Sequence, residues 1–597
     1  MTNSQTLVET TMRGNDAPAA CFLNSLAREC SSVVIIDGEC EAYYCIPLSN
    51  EHEIRVPLRV VSSIGLHEYQ FPAVLYGTEV APIEFDQVVD LVVEQPALVG
   101  MITPQQKSIF VDRVNESYRN VYAAVKDNPY GRKLFEERLN FRESEQGLLI
   151  GHSFHPAPKS REQFSPQDAQ VYTPEFGGKF QLHWLAVDES LLVSGSSGDQ
   201  SVRQRIEELV TADENLEISV AGLADDHEML FPVHPWQWQS IKQRKEVRAY
   251  LKEGQIRDLG AVGEKWYPTS STRSLYSPKL PYMLKFSLSV KLTNSVRNLS
   301  LKEVVRGTRL NQLFEDTELK SLLGGKRGFQ LMQEPAFLGL MDSNGLVIDE
   351  SLLVFRDNPL MSKPEEEAVV LATLTQQNPF GGQSLLVSRI EHYARTHTLT
   401  PKVAAQRWFD AYCKHAVVPL FNLQANYGIV FLAHQQNIVM QLEEGLPIGM
   451  YYRDCQGTGY TDLAFELFPD ALGCSTNAKH AKQETENYWN QDKVRRYFAY
   501  YLIINSTFSA IASIAAGLDI DESSLVTILR QHLVDLKTQG VKDDRCLSYV
   551  LDSDSLCCKG NFYCYLQNFN ENSIPDPAVI YFDLSNPIVA VKEANHA

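Results

Sequence analysis

No Cys-x-x-Cys pair occurs among the eleven cysteines, and their spacing is irregular. That excludes a zinc ribbon and a thioredoxin-type redox pair. No Walker loop, Gly-x-Gly-x-x-Gly fingerprint, internal repeat or low-complexity tract is present, so no nucleotide is held here by a Gly-rich loop of those kinds. Positive charge is scarce: 54 Lys and Arg stand against 74 Asp and Glu, a net charge of −20. General binding to nucleic acid or to an anionic membrane needs a basic surface and is not expected. Residues 1–18 lack the basic start and apolar core of a secretory signal, which with the irregular cysteines predicts a cytoplasmic protein with reduced thiols. One apolar run, residues 498–517, has the length of a membrane span. It carries Asn505, Ser506, Thr507, Ser509 and Ser513, which are costly in lipid, so a buried helix is predicted.

At 597 residues the chain exceeds a single core, and roughly three or four domain-sized units are expected. Residues 1–20 read as a frayed tail. Hydrophobic periodicity predicts strands near 33–36, 43–47, 54–61, 180–187, 352–355 and 447–452. It predicts helices over 85–93, 104–126, 134–145, 202–211, 301–313, 385–396, 403–425, 488–516 and 521–536.

Residues 267–297 stand out. A hydroxyl-rich turn carrying Arg273 precedes an alternating run. Leu284, Phe286, Leu288, Val290 and Leu292 share one parity, and Lys285, Ser287, Ser289, Lys291 and Thr293 share the other. This predicts one strand with an apolar face and a cationic, hydroxyl face, followed by Arg297. Such a surface suits a triphosphate or a polycarboxylate. An ordinary half-exposed strand with solvated lysines reads the same way.

Three further stretches carry chemistry-bearing residues. Residues 151–166 hold His152, His155, Lys159 and Arg161 among prolines that exclude a regular helix or central strand, so they form a shaped loop. Anion contact fits this loop better than a metal site, because no third ligand lies nearby, and a purely structural loop reads the same way. His234, between Val233 and Pro235 with Trp236 and Trp238, reads as a structural aromatic knot. Residues 427–457 run strand, polar turn, strand, and place His434, Gln436, Asn437 and Asp454 at the turns. Asn and Asp there suit Mg²⁺ and phosphate, and also ordinary turn chemistry.

Taken together, Gly151-His-Ser-Phe-His-Pro-x-x-Lys-x-Arg, His234-Pro-Trp-Gln, Ser271-Thr-Arg-Ser with Lys285 and Thr293 to Arg297, and His434-x-Gln-Asn with Arg453-Asp-x-x-Gly resemble the NRPS-independent siderophore (NIS) synthetases, the IucA/IucC family. The resemblance spans residues 145–570, and its C-terminal part is similar to FhuF-like ferric reductases. It implies an α+β, cupped-hand, multidomain enzyme. Residues 1–145 would be the thumb, 146–380 the β-rich fingers and 381–597 a helical, kinase-like palm, with ATP in the cleft between fingers and palm. It implies a ligase that adenylates a carboxylate, most often citrate, and passes the acyl group to an amine or alcohol, releasing AMP and pyrophosphate. ATP and Mg²⁺ would be required, and a homodimer is common.

Roles follow from matching positions. Ser271, Thr272, Arg273, Ser274, Lys285 and Arg297, with Gln436, Asn437 and Asp454, would contact ATP, and Asn437 and Asp454 would hold the metal. His155, Lys159, Arg161, Thr293, Arg297 and His434 would surround the carboxylates, with His155, Arg297 and His434 closest to the chemistry. Two positions depart from the family pattern. Ser274 replaces a Thr, and Leu432 replaces a Glu, so no metal or base role carries over to residue 432. Arg495, Arg496 and Lys559 are candidates for the nucleophile's pocket. Two rival readings are a ferric-siderophore reductase, for which Cys557-Cys558 is followed only by Cys564, and a kinase-like phosphotransferase.

Overall fold

The computed structural model describes residues 16–38, 41–293, 295–324, 327–472, 487–569 and 577–594. Helix and sheet are mixed, as an α+β chain requires. Most of the expected tail lies outside the described residues, but its last part is helical. Ala17–Glu29 begins at Asp16, whose carboxylate accepts from the Ala19 N–H at 3.1 Å.

Three sheets carry the architecture. The first is antiparallel and runs Val34–Asp37, Ala42–Pro47, Glu53–Val60, Ala73–Tyr76 and Ala81–Ile83, with Glu68–Tyr69 paired to Glu53–Val60. Ala17–Glu29, Phe85–Val93 and Pro104–Asp127 pack on it. Its core also takes in Phe562, Tyr565 and Leu566 from the far end of the chain. The second sheet has eight antiparallel strands and is built from residues 180–357, with Tyr282–Phe286 near its middle. The third runs Gly328–Leu331, Leu446–Tyr452, Ile438–Glu443 and Glu367–Val370. Its strands come from both sides of residue 380, so one sheet crosses the boundary expected there. Gly328–Leu331 pairs parallel to Leu446–Tyr452, with Leu331 opposite Tyr452. The largest core cluster surrounds this third sheet and the C-terminal helices.

Several expected elements differ in ways that have physical causes. The alternating run is two strands, Tyr282–Phe286 in the eight-stranded sheet and Leu288–Leu292, which pairs with Ser295–Arg297. The break is at Ser287, whose hydroxyl donates to Asp349 O at 2.5 Å and accepts from the Leu299 N–H at 2.9 Å. Tyr282–Phe286 is buried on both faces, so Lys285 is not a solvated lysine. The helix expected over 134–145 is two short ones, Lys133–Glu136 and Phe141–Gln146, because Asn140 and Glu143 form a capping box that starts the second. The helix expected over 403–425 runs Pro401–Tyr412 and Val418–Tyr427, joined by a π-turn at Cys413–Val417. Pro419 lacks the N–H that a regular turn would use, and the wider turn accommodates it. The helix expected over 488–516 runs Gln491–Gly517, with π-geometry over Val494–Thr507.

Gln491–Gly517 is long and apolar enough to cross a membrane, yet 89% of its apolar window is buried inside the fold. Its polar residues explain why it belongs there. Ser506 Oγ donates to Ala433 O at 2.6 Å, Asn505 Oδ1 accepts from the Gln435 N–H at 3.2 Å, and Ser509 Oγ accepts from Gln435 Nε2 at 3.0 Å. The helix thereby holds the turn that carries His434.

Candidate active site

Between the eight-stranded sheet, the third sheet and the C-terminal helices lies a cavity of about 330 Å³. Every residue assigned from the sequence to ATP, metal or carboxylate lines it: His155, Lys159, Arg161, Ser271, Thr272, Arg273, Ser274, Lys285, Thr293, Arg297, His434, Gln436, Asn437 and Asp454. Backbone conformation concentrates there as well. Thr272 (φ 66°), Thr293 (φ 55°) and Asp454 (φ 83°) adopt the left-handed region that non-glycine residues rarely enter.

One wall is the hydroxyl turn. The Thr272 N–H donates to Thr269 O at 2.7 Å, and the Ser274 N–H to Ser271 Oγ at 3.2 Å. Arg273 Nη1 donates to Arg297 O at 3.1 Å, which fixes the two arginines relative to one another. Beside this turn is a buried ionic cluster. Lys285, 3% exposed, donates to Asp454 Oδ1 at 2.7 Å and reaches Glu334 Oε1 at 3.4 Å. Arg356 donates to the same Glu334 oxygen from Nε at 3.1 Å and Nη2 at 2.5 Å. Burial pushes the Asp454 carboxyl up, but Lys285, Arg273 and Arg356 outweigh it and hold Asp454 well below the usual carboxylate range.

The facing wall is the turn at 434–437. The Asn437 N–H donates to His434 O at 2.8 Å, and Asn437 Nδ2 to Leu432 O at 3.0 Å. Burial drives the His434 imidazole down to about 4; Asp454 opposes this, while Arg453, Arg297 and Lys559 add to it. His434 is therefore neutral at pH 7. The two walls are clasped together by Arg453. It donates to Gln436 O from Nε at 2.9 Å and Nη2 at 2.6 Å, to Ser270 Oγ at 3.2 Å, and to both Glu145 carboxylate oxygens. Glu145 in turn accepts from the Ser270 N–H at 2.8 Å. Arg453 and Glu145 are 3% and 1% exposed.

The third side is the 151–166 loop. His155 Nδ1 accepts from the Ala157 N–H at 3.0 Å, and its ring packs edge-on to Tyr565 at 4.7 Å. His152 is locked by the Phe154 N–H at 3.1 Å and the Asn505 amide at 2.9 Å. Burial, with His155, Lys559 and His434 adding, holds its imidazole neutral. Lys159 and Arg161 share a partner that sequence reading missed: Arg161 Nη1 donates to Glu175 Oε1 at 2.5 Å, and Lys159 Nζ sits 3.5 Å from Oε2. One buried carboxylate thus offsets part of the positive charge expected of these two residues. Arg297 Nη2 donates to Thr293 Oγ1 at 3.2 Å, so those two side chains point together.

A synthase from Vibrio mimicus, N(2)-citryl-N(6)-acetyl-N(6)-hydroxylysine synthase, is 60% identical over 98% of this chain and 97% of its own length. The chain belongs to the IucA/IucC family of siderophore synthetases. The IucA / IucC family profile matches residues 140–376, and that of the ferric iron reductase FhuF-like transporters matches residues 406–574. The Escherichia coli synthase of the same name is 39% identical over 96% of this chain and 98% of its own. The ATP-bound aerobactin synthetase IucA of a hypervirulent Klebsiella pneumoniae pathotype superposes with a TM-score of 0.89 at 37% identity, covering 96% of this chain and 99% of that one. Like these synthetases, the chain is an ATP-dependent ligase of siderophore biosynthesis.

Leu432, which departs from the IucA/IucC pattern, has a structural role: it packs against the main core, and its carbonyl anchors Asn437. A Cβ on Gly457 would stand 2.8 Å from Leu432 Cδ1, so the two positions fit together. Of the candidates for the nucleophile's pocket, Lys559 lines the cavity with Tyr500, Tyr501 and Asn561. Arg495 and Arg496 lie instead over the rings of Tyr549 and Tyr581, at 5.0 and 5.9 Å. Cys557 and Cys558 are free thiols that burial pushes up, Cys558 to about 12. The His234 ring is fully buried among Tyr172, Phe180 and Phe286, away from the cavity.

Proposed function

We propose that the chain joins citrate to the α-amine of an N6-acetyl-N6-hydroxylysine-type substrate in two steps within this cavity. First, a citrate carboxylate oxygen attacks the α-phosphorus of ATP. A C–O–P linkage forms, the α–β bridging P–O bond breaks, and pyrophosphate leaves. Second, the amine nitrogen attacks the acyl carbon, loses a proton, and displaces AMP to leave an amide. The carboxylate needs no deprotonation near neutral pH, so the work is to offset repulsion among polyanions. The observation that carries this reading is that the Ser271–Arg273 turn and the 434–437 turn with Asp454 face one another across a single cavity.

In this reading Ser271, Thr272, Arg273, Ser274 and Lys285, with Gln436, Asn437 and Asp454, hold the phosphates. His155, Lys159, Arg161, Thr293, Arg297 and His434 hold citrate, and Arg297 bridges citrate and the α-phosphate because a guanidinium can serve two anions. His434, neutral before substrate arrives, gains proton affinity from the citrate charge and is placed to receive the amine's proton. The residues fit Mg²⁺: Asp454 is ionised, with 29% of its side chain exposed, and Asn437 uses its NH₂ on Leu432, which leaves Oδ1 as a hard oxygen donor. Bound there, the ion neutralises phosphate charge.

The same reading makes residues 1–145 the thumb, 146–380 the fingers and 381–597 the palm of a cupped hand with ATP between fingers and palm. It takes the protein to be a cytoplasmic homodimer, which sedimentation would test. The deciding experiment is ATP- and Mg²⁺-dependent pyrophosphate release in a cross of carboxylic acids with amines and alcohols, with nucleotide products resolved. AMP and the citryl amide are expected. ADP as product would favour a phosphotransferase, and no turnover with any carboxylate would sink the proposal.

A further inference from the structure

Glu334 is fully buried, does not line the cavity, and yet holds two cations that do. Its Oε1 takes Lys285 at 3.4 Å and Arg356 at 3.1 and 2.5 Å, while Oε2 meets no hydrogen-bond donor among the described residues. A half-satisfied buried carboxylate is a poor stabilising device, because apolar residues of similar volume usually do as well or better. The fold nevertheless makes room for it. Gly307 lies inside the helix Leu301–Asp316, where glycine costs about 1 kcal/mol relative to alanine. A Cβ there would stand 3.3 Å from both Cβ and Oε2 of Glu334. The parallel pairing of Leu331 with Tyr452 then carries Glu334 and Asp454 forward side by side, from strands that enter the site in the same direction. Lys285 sits between them, with one carboxylate behind it and one in the cavity.

The geometry points to Glu334 as a positioning residue that lets Lys285 change partners: it retains the Lys285 ammonium when Asp454 turns from Lys285 to the Mg²⁺ of the incoming nucleotide. This rests on the functional reading above. Lys285 Nζ is closer to Asp454, at 2.7 Å, than to Glu334, at 3.4 Å. A Mg²⁺ ion on Asp454 sets a second cation beside the Lys285 ammonium and weakens the hold of that carboxylate on it. With Glu334 behind it, Lys285 leaves Asp454 without becoming an uncompensated buried cation, and its freed N–H donors face the phosphates. Without that charge, Lys285 has only Asp454, and the metal must compete for it.

The test is calorimetric binding of α,β-methylene-ATP, which resists cleavage at the α–β bond, to the full chain with and without Mg²⁺. The variants are Glu334→Gln and Gly307→Ala. In the wild type, Mg²⁺ tightens binding. In Glu334→Gln that enhancement falls about tenfold while metal-free affinity changes less than threefold. Gly307→Ala shifts the Glu334 carboxylate without removing its charge, so it loses about threefold of the enhancement, with the fold intact by circular dichroism. A merely structural role would weaken both affinities alike. The same Mg²⁺ enhancement in wild type and both variants, or equal losses with and without the ion, overturns this inference and leaves the functional reading intact. A wild-type chain with no affinity for the nucleotide overturns both.

Discussion

Replacing Arg453 by methionine keeps most of its volume and removes its charge. Glu145, 1% exposed, would then keep a buried negative charge with the Ser270 N–H among its remaining donors. Breaking a buried pair by removing one partner costs about 3–5 kcal/mol, and this pair also orients Gln436 O and Ser270 Oγ, which places it within that range. Removing both charges, as in Glu145→Leu with Arg453→Met, eliminates the stranded carboxylate. The double variant should therefore lose only about 1–2 kcal/mol; with Glu145→Leu alone also costing about 3–5 kcal/mol, because it strands the Arg453 charge, the coupling is at least about 4 kcal/mol. A chain of this size does not unfold in one step, so the reading belongs to native-state hydrogen exchange at the Thr272 and Asn437 amides, whose acceptors Thr269 O and His434 O no variant alters. Activity should part company with stability. The double variant regains protection but stays at least about 100-fold low in kcat/KM for pyrophosphate release, because the two walls are no longer clasped in register. A loss below about 1 kcal/mol in Arg453→Met, or strict additivity in the pair, would refute the reasoning.

Asp454→Ala should abolish adenylation, and normal pyrophosphate release by that variant would refute its assignment. Asn505→Ala removes the acceptor for the Gln435 N–H and the contact to His152, so kcat should fall about tenfold with the fold intact by circular dichroism. Stability should fall in acid through His234, which burial holds down to about 3. The unfolded chain takes up that proton below about 6.5, so stability present above that pH is lost as pH falls toward 3, by about 1.4 kcal/mol per unit or roughly 2 kcal/mol at pH 5. His234→Phe should flatten this slope in the opening free energy of the Trp238 amide, which donates to residue 234 O, measured by hydrogen exchange from pH 7 to 5 with the intrinsic rate corrected, and an unchanged slope would show that the ring is not buried neutral.

The site was legible where its chemistry is local. Ser271, Thr272 and Arg273 form a turn whose hydroxyls are consecutive in sequence, and Asn437 and Asp454 end strands that announce themselves by composition. The structural role of His234 was legible from adjacent Pro and Trp, but the rings that enclose it, Tyr172, Phe180 and Phe286, were not. What stayed hidden depends on partners remote in sequence. Glu145 meets Arg453 across 308 residues, and before folding it looks like any solvated glutamate on a charged helix. Glu175 and Glu334 were missed likewise. Alternation placed Lys285 on the right face of its strand, but period two says nothing of whether another layer covers that face, and here one does. The break at Ser287 depends on Asp349 and Leu299, which the run itself does not contain.

The helix Asn561–Leu566 sends Phe562, Tyr565 and Leu566 into the core formed by the first hundred or so residues, and Glu29 caps its start through the Phe562 and Tyr563 N–H groups at 2.7 and 2.8 Å. Synthesis proceeds from the other end, and early domains ordinarily close while later ones are still being made. Here the first layer must wait, with Phe22 and Phe110 unsealed, until almost the whole polypeptide has left the ribosome. A nascent chain stopped near residue 550 would still show an open apolar seam to chaperones, and a helix made close to the end of synthesis is the one that shuts it.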